Sequence, residues 1–176
     1  GTPIIWDIVD AWPQPEGNAW NKASCLDWLS REVDLIRPSA IVAATQAMAA
    51  DCAAFGVPVL ALPHHHRPRI VTNPIRDRIR TVGYEGGEQY LGKWRAILER
   101  VCACAGIAFV TNPDHLAQLD VVVAFRDSEG HAARQWKSNV KLANAQGSGT
   151  PCILSREQGY IETSIGAECW AENEEE

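Results

Sequence analysis

The chain lacks any apolar run near the roughly 20 residues that a bilayer-spanning helix needs. No leader-like segment opens it either, so a cytoplasmic protein is expected. Positive charge is also scarce. The 176 residues carry a net charge of −6, the reverse of the basic footprint typical of nucleic-acid binders, and no nucleic-acid partner is expected. Much of that acidity lies in residues 172–176, read as the start of a helix rather than an acidic arm. Paired-cysteine motifs are missing. Cys25, Cys52, Cys102, Cys104, Cys152 and Cys169 show no C-x-x-C pair and no Cys/His spacing that suggests zinc. Buried, reduced thiols are the expectation. There is no internal repeat and no low-complexity segment.

What is present is an ordinary globular composition, 46% hydrophobic and 22% charged, long enough for one large or two small domains. Residues 3–10 read as a buried parallel strand ending at Asp10, followed by a Pro/Gly loop. An amphipathic helix is predicted over 19–33, with Trp20, Leu29 and Val33 inward. Residues 40–44 form a second strand. Thr45 then caps a helix from Gln46 to about Phe55 that Gly56 stops, and 57–62 is a third strand. Strand–helix–strand repetition with short connections means right-handed crossovers and a parallel sheet. Some 60 residues are too few to cover both faces of such a sheet unaided.

A Pro- and Arg-rich stretch, 64–80, reads as a crossing to a second block. There, strands at 80–84, 107–110, 120–125 and 150–154 alternate with helices at 89–105 and 139–146. A short helix ending at Leu119 is capped by Asn112 or Asp114. A helix near Tyr160 and a strand near 169–171 complete the block. The expected fold is α/β, with parallel Rossmann-like sheets flanked by helices and domains at 1–75 and 76–176.

The chemistry-bearing stretch is 134–151. Ser138 reads as an N-cap, and a helix N-terminus with Lys137 and Lys141 beside it suits a phosphate or pyrophosphate; an ordinary capped surface helix is the competing reading. In a doubly wound sheet, ligands sit outside the carboxyl ends of strands. The Gly86–Gly87 turn, the Arg126 loop, the Lys137–Ser138 segment and the Gln158–Gly159 turn all follow strands of the second block. Asp10 ends a strand of the first block and is a candidate cleft residue. His64, His65 and His66 are consecutive, so they cannot all aim at one metal from a regular strand. No metal is expected, and His64 and His65 are kept as cleft candidates against a solvated linker. Trp136, in a polar loop beside Lys137, is a candidate to stack on a base or sugar.

The segment Lys137-Ser-Asn-x-Lys141, then Ala, Gly149-x-Pro151, a buried strand and Gln158-Gly-Tyr160-x-Glu162, resembles the donor-binding segment of GT-B-fold nucleotide-sugar glycosyltransferases of the "group 1" type. More loosely, residues 41–63 resemble the late N-domain of that family, and Val82-Gly-Tyr-x-Gly86 the opening of its C-terminal domain. The resemblance implies a metal-independent hexosyltransferase that uses a nucleotide-diphosphate sugar as substrate and no cofactor. Its acceptor would be a carbohydrate or a lipid-linked acceptor, with peripheral membrane contact possible in the full-length protein. It also implies an incomplete N-terminal domain, and hence weak nucleotide binding and little turnover by this chain.

Donor-binding residues carried over are Gly86, Gly87, Arg126, Lys137, Ser138, Asn139, Lys141, Asn144, Glu157, Gly159 and Tyr160. Glu157 is the candidate for the donor sugar's hydroxyls, and Glu162 for a helix first-turn carboxylate. Two departures stand out. A glutamate pair eight positions apart, common in relatives, falls on Trp136 and Asn144; Asn144 can hydrogen-bond a ribose but cannot serve as a carboxylate. The cation expected just after the Gly turn is replaced by Glu85 and Glu88. These losses keep open a non-catalytic nucleotide or nucleotide-sugar binding module. Another GT-B-fold enzyme, such as a nucleotide-sugar epimerase, would need more convergent carboxylates and histidines.

Overall fold

The computed structural model describes residues 2–10, 21–127 and 134–173. They form an α/β fold with two parallel sheets flanked by helices. The chain divides into two compact units. One comprises residues 1–64, 128–139 and 157–162; the other comprises 65–127, 140–156 and 163–176. The expected domain border at 75/76 lies inside the second unit, and two later segments return to the first.

In the first unit, strands β1 (Ile5–Ile8), β2 (Ala40–Ala43) and β3 (Val59–Ala61) pair in that order, all parallel. Helix α1 (Lys22–Ile36) starts at Asn21, whose side chain accepts from the Ser24 amide, and ends on a left-handed Arg37. Its buried residues Cys25, Leu29 and Val33 recur every four positions, the stripe a helix presents to one neighbour. Trp20 lies outside the described residues. Helix α2 (Gln46–Cys52) is capped as its sequence predicts: Thr45 Oγ1 accepts from the Met48 amide, and a left-handed Gly56 follows a closing 3-10 turn.

The expectation of a fully buried first strand needs correction. Ile8 is buried, but Ile5 is 67% exposed. Sequential strands joined by right-handed crossovers place both helices on one side of the sheet. That side carries Ile8, Ile41 and Ala43 into a core with α1 and α2. The other side, with Ile5 and Leu60, is exposed.

In the second unit, β4 (Thr81–Tyr84), β5 (Ala108–Thr111), β6 (Val121–Ala124), β7 (Cys152–Leu154) and β8 (Cys169–Trp170) form a parallel sheet in the order β5-β4-β6-β7-β8. Every residue of β6 is buried, as a central parallel strand requires. Helix α3 (Trp94–Cys104) covers the sheet through Trp94, Leu98 and Cys102, with Trp94 stacked on Phe125 at 4.6 Å between centroids. It begins later than the predicted 89–105 helix. Gly92 holds φ at +50°, and a Cβ there would lie 2.4 Å from Asp127 Oδ2. Helix α4 (Val140–Ser148) connects toward β7.

The predicted helix ending at Leu119 is a single 3-10 turn, Leu116–Gln118, and neither Asn112 nor Asp114 caps it. Asn112 instead takes φ +49°, and its Oδ1 accepts from the Gly86 amide. Cys25, Cys52, Cys102 and Cys152 are buried free thiols, whereas Cys104 and Cys169 are exposed, against the expectation for all six. Burial pushes the Cys52 and Cys152 thiols up to about 12.

Candidate functional site

From β4 the chain of the second unit steps to β5 on one side. It then crosses back to lay β6 against the other side of β4, and continues outward through β7 and β8. The winding direction therefore reverses between β4 and β6. At such a reversal the two following loops diverge and leave a crevice beyond the carboxyl ends of the strands. The loops in question are Glu85–Gly87 and Phe125–Asp127.

Several side chains of the second unit meet there. Tyr84 ends β4 fully buried, and the Lys141 ammonium lies over its ring at 3.9 Å from the centroid. Gly86, at φ +140°, allows this. A Cβ would stand 3.1 Å from Lys141 Nζ and 3.1 Å from Tyr84 Oη, and that φ is strained for any other residue. The Tyr84 hydroxyl donates to the Gly87 carbonyl at 3.3 Å. Burial and then Tyr90 raise its pKa to about 12, although the Arg126 charge acts the other way. The phenol therefore stays protonated at neutral pH, with two cations, Lys141 and Arg126, close to it.

Beside this group, Glu85 accepts from Arg67 Nη1 through Oε1 and from Asn144 Nδ2 through Oε2 at 3.1 Å. Asn144 Oδ1 accepts from the Arg67 amide at 2.9 Å. Asn144 is buried, and both ends of its amide are engaged. The ribose contact expected of it would have to use the second amide hydrogen or the second lone pair of Oδ1. Glu85 is neutralised by Arg67. Nothing local distinguishes Arg67 within its Pro- and Arg-rich run. Tyr84 was equally hidden, since a strand-ending tyrosine looks like core. His65 makes a local contact only, its Nδ1 lying 3.0 Å from the His66 carbonyl.

The remaining predicted residues belong to the first unit. Lys137 donates to Asp10 Oδ2 at 2.5 Å, so this cation already has a carboxylate. Asn139 is locked to His64: its Oδ1 accepts from the His64 amide at 2.8 Å and its Nδ2 donates to the His64 carbonyl at 3.0 Å. The His64 ring reaches the Val9 carbonyl at 3.1 Å. Ser138 is buried two residues ahead of the first residue of α4, and not immediately before it as its reading as a cap supposed.

Helix α5 (Gln158–Thr163) opens with Gly159 pressed onto the chain. A Cβ there would lie 2.5 Å from the Lys137 carbonyl oxygen and 2.7 Å from the Asn139 amide nitrogen. Its lack of a side chain is thus explained by backbone packing. Glu157 and Tyr160 are buried, and the Glu157 carbonyl accepts from the Tyr160 and Ile161 amides. Glu162 does not serve its own helix's first turn; it accepts from the Gln46 amide at the start of α2 at 2.8 Å. Trp136 is also corrected. It is fully buried in the first core, with Nε1 donating to Asp51 at 2.7 Å, and offers no face for stacking.

Among the described residues no three His, Cys, Asp or Glu side chains form a group able to hold a metal, and no helix is long and apolar enough to cross a membrane. The chain is an α/β protein with two parallel sheets flanked by helices, compatible with a Rossmann-like fold, and its second unit gathers cations at a switch point. No protein-family model matches the chain, and no curated protein matches it significantly.

Proposed function

We propose that this chain is part of a GT-B-fold glycosyltransferase that takes a sugar from a nucleotide-diphosphate donor, with the second unit holding the donor. The observation that carries this reading is the Lys141 ammonium seated against Gly86 and Tyr84, at the reversal of strand order and near Arg126. Sugar transfer leaves growing negative charge on the departing nucleoside diphosphate. Fixed cations at that edge stabilise the charge more as it develops than in the ground state, which accelerates the reaction. The buried Tyr84 ring seats the Lys141 ammonium, and the α4 amino end contributes a favourable dipole.

A second reading, a nucleotide-sugar binding module without turnover, is favoured by the Arg67–Glu85–Asn144 arrangement. It ties up the one carboxylate in the β4 loop and puts an amide where a catalytic-type carboxylate is expected. Calorimetric titration with nucleoside diphosphates and their sugars tests both. Lys141→Ala and Arg126→Ala are each expected to weaken binding by about tenfold or more, the range for losing a charge-assisted contact. Donor hydrolysis or transfer favours the transferase, and tight binding without turnover favours the module. Absence of nucleotide binding, or binding indifferent to both substitutions, overturns the two together.

A further inference from the structure

The opposite edge of the second sheet carries a feature that the donor reading leaves unused. A hollow of about 500 Å³ lies where β4 and β6 begin, lined by Ile75, Arg76, Arg78, Arg80, Thr81 and Asp120. Its floor is rigid. Asp120 is 8% exposed, and its Oδ2 accepts from the Arg80 amide, the Thr81 amide and the Thr81 hydroxyl at 2.6, 2.7 and 2.9 Å. Its Oδ1 accepts from Arg76 at 2.5 Å, and Arg76 also donates to the Ala117 carbonyl. The preceding chain is anchored by Asn73, whose side chain donates to the Leu119 carbonyl and Thr150.

This network consumes the Asp120 carboxylate and the Arg76 guanidinium together. Arg78 and Arg80 line the same hollow, and neither has a carboxylate within ion-pair distance among the described residues. The other acid of the lining, Asp77, is exposed and cancels one of the two charges. A net positive charge thus stays on two forked donors, of which Arg80 sits on backbone held by Asp120, in a chain that is acidic as a whole.

We propose that this hollow is a binding site for a phosphate-bearing anion, held by the Arg78 and Arg80 guanidinium groups. Arginine's planar fork matches phosphate oxygens two at a time, and a backbone held by Asp120 lowers the ordering cost of that grip. The hollow is larger than one phosphate, and Ile75 stands fully exposed at its rim. The phosphate can therefore belong to a soluble ester or to a lipid headgroup. The site is independent of the donor reading, because it sits at the amino ends of the strands whereas Lys141 sits at the carboxyl ends.

The test uses the whole chain in two arms. Titration with inorganic phosphate and pyrophosphate is followed by the NMR signals of the arginine side chains. Sedimentation compares phosphatidylcholine vesicles with and without phosphatidic acid. Arg78→Ala/Arg80→Ala is compared with Lys141→Ala and with Arg95→Ala, a surface control on α3. Binding by the wild type that falls about tenfold or more in the double variant alone supports the site. Response to free phosphate identifies a soluble ester, and response to phosphatidic acid vesicles only identifies a headgroup. Binding in neither arm overturns the proposal, as does loss in Lys141→Ala with the double variant unaffected.

Discussion

At the scale of single residues, the chemistry that a side chain could do and the contact it does make often diverge. By sequence, Trp136 reads as a stacking platform because Lys137 follows it in a polar loop. The indole instead fills the first core, and its N–H is satisfied by Asp51, which Lys22 also neutralises at 2.7 Å. Trp136→Ala is expected to destabilise the chain by about 3–5 kcal/mol, the usual cost of emptying a buried aromatic site. Chemical denaturation measures this, and a loss below about 1 kcal/mol would show the ring is not core. Gly159→Ala is expected to cost about 1–3 kcal/mol, because the new methyl meets backbone atoms of residues 137–139 that cannot rotate away. A glycine selected for approach by a ligand would be nearly neutral by the same measurement. Local sequence could not separate the cases, since the partners of Trp136 and Gly159 lie 85 and about 20 residues away. Lys137, Asn139 and Asn144 were legible as polar groups at one junction. Their engagement by Asp10, His64 and Glu85 was not, because each partner comes from a distant strand end.

At the scale of elements, legibility was much better. The eight strands among the described residues lie where strands are expected, most of them on short apolar runs bounded by Gly, Pro or Asp, and parallel pairing follows from the helices between them. Helix starts slipped where a glycine or a side-chain competition decided the outcome, as at Gly92 for α3 and Asn139 for α4. The start of α2 is the clearest success. Thr45 is fully buried, caps Met48 and donates to the Gln135 carbonyl at 2.9 Å, and Glu162 takes the Gln46 amide. Thr45→Ala therefore removes a cap and a second bond, with an expected loss of about 1–2 kcal/mol; Thr45→Ser should retain most of it. The turn between α5 and β8 rests on Glu168. Burial raises its carboxyl, but bonds from Ser164, the Ile165 amide and Gln146 more than offset this and hold its pKa at about 2. A depressed carboxyl stabilises the fold above its unfolded value near 4.5, and that contribution is lost as pH falls toward 2. Glu168→Gln is expected to lower stability at neutral pH and to flatten the decline between about pH 5 and 2. Parallel slopes for the two proteins over that interval would refute the role given to Glu168.

At the scale of the whole molecule, charge and exposed apolar surface act together. The chain carries −6 at neutral pH and reaches zero near pH 5.4, where mutual repulsion between copies vanishes. Ile5, Leu60 and Leu62 in the first unit and Ile75 in the second are all more than half exposed, so apolar surface is open to neighbouring copies when that repulsion is lost. The carboxylates with the strongest native partners remain ionised at that pH. Glu168 is held near 2, and Asp120 is held well below the usual range because bonds from Arg76, the Arg80 amide and Thr81 outweigh its burial. Their stabilisation is lost only as pH falls below the ordinary carboxylate range, well under the isoelectric point. Acidification is therefore expected to produce two separated events. Light scattering should peak near pH 5.4 with the circular dichroism of the native fold intact, and loss of ellipticity should follow only below about pH 4. Leu60→Lys raises the isoelectric point and interrupts the exposed face of the first sheet, so it should shift the scattering peak upward and reduce it while leaving the lower transition in place. Coincidence of the scattering and ellipticity changes would mean that unfolding, and not native surface, drives association.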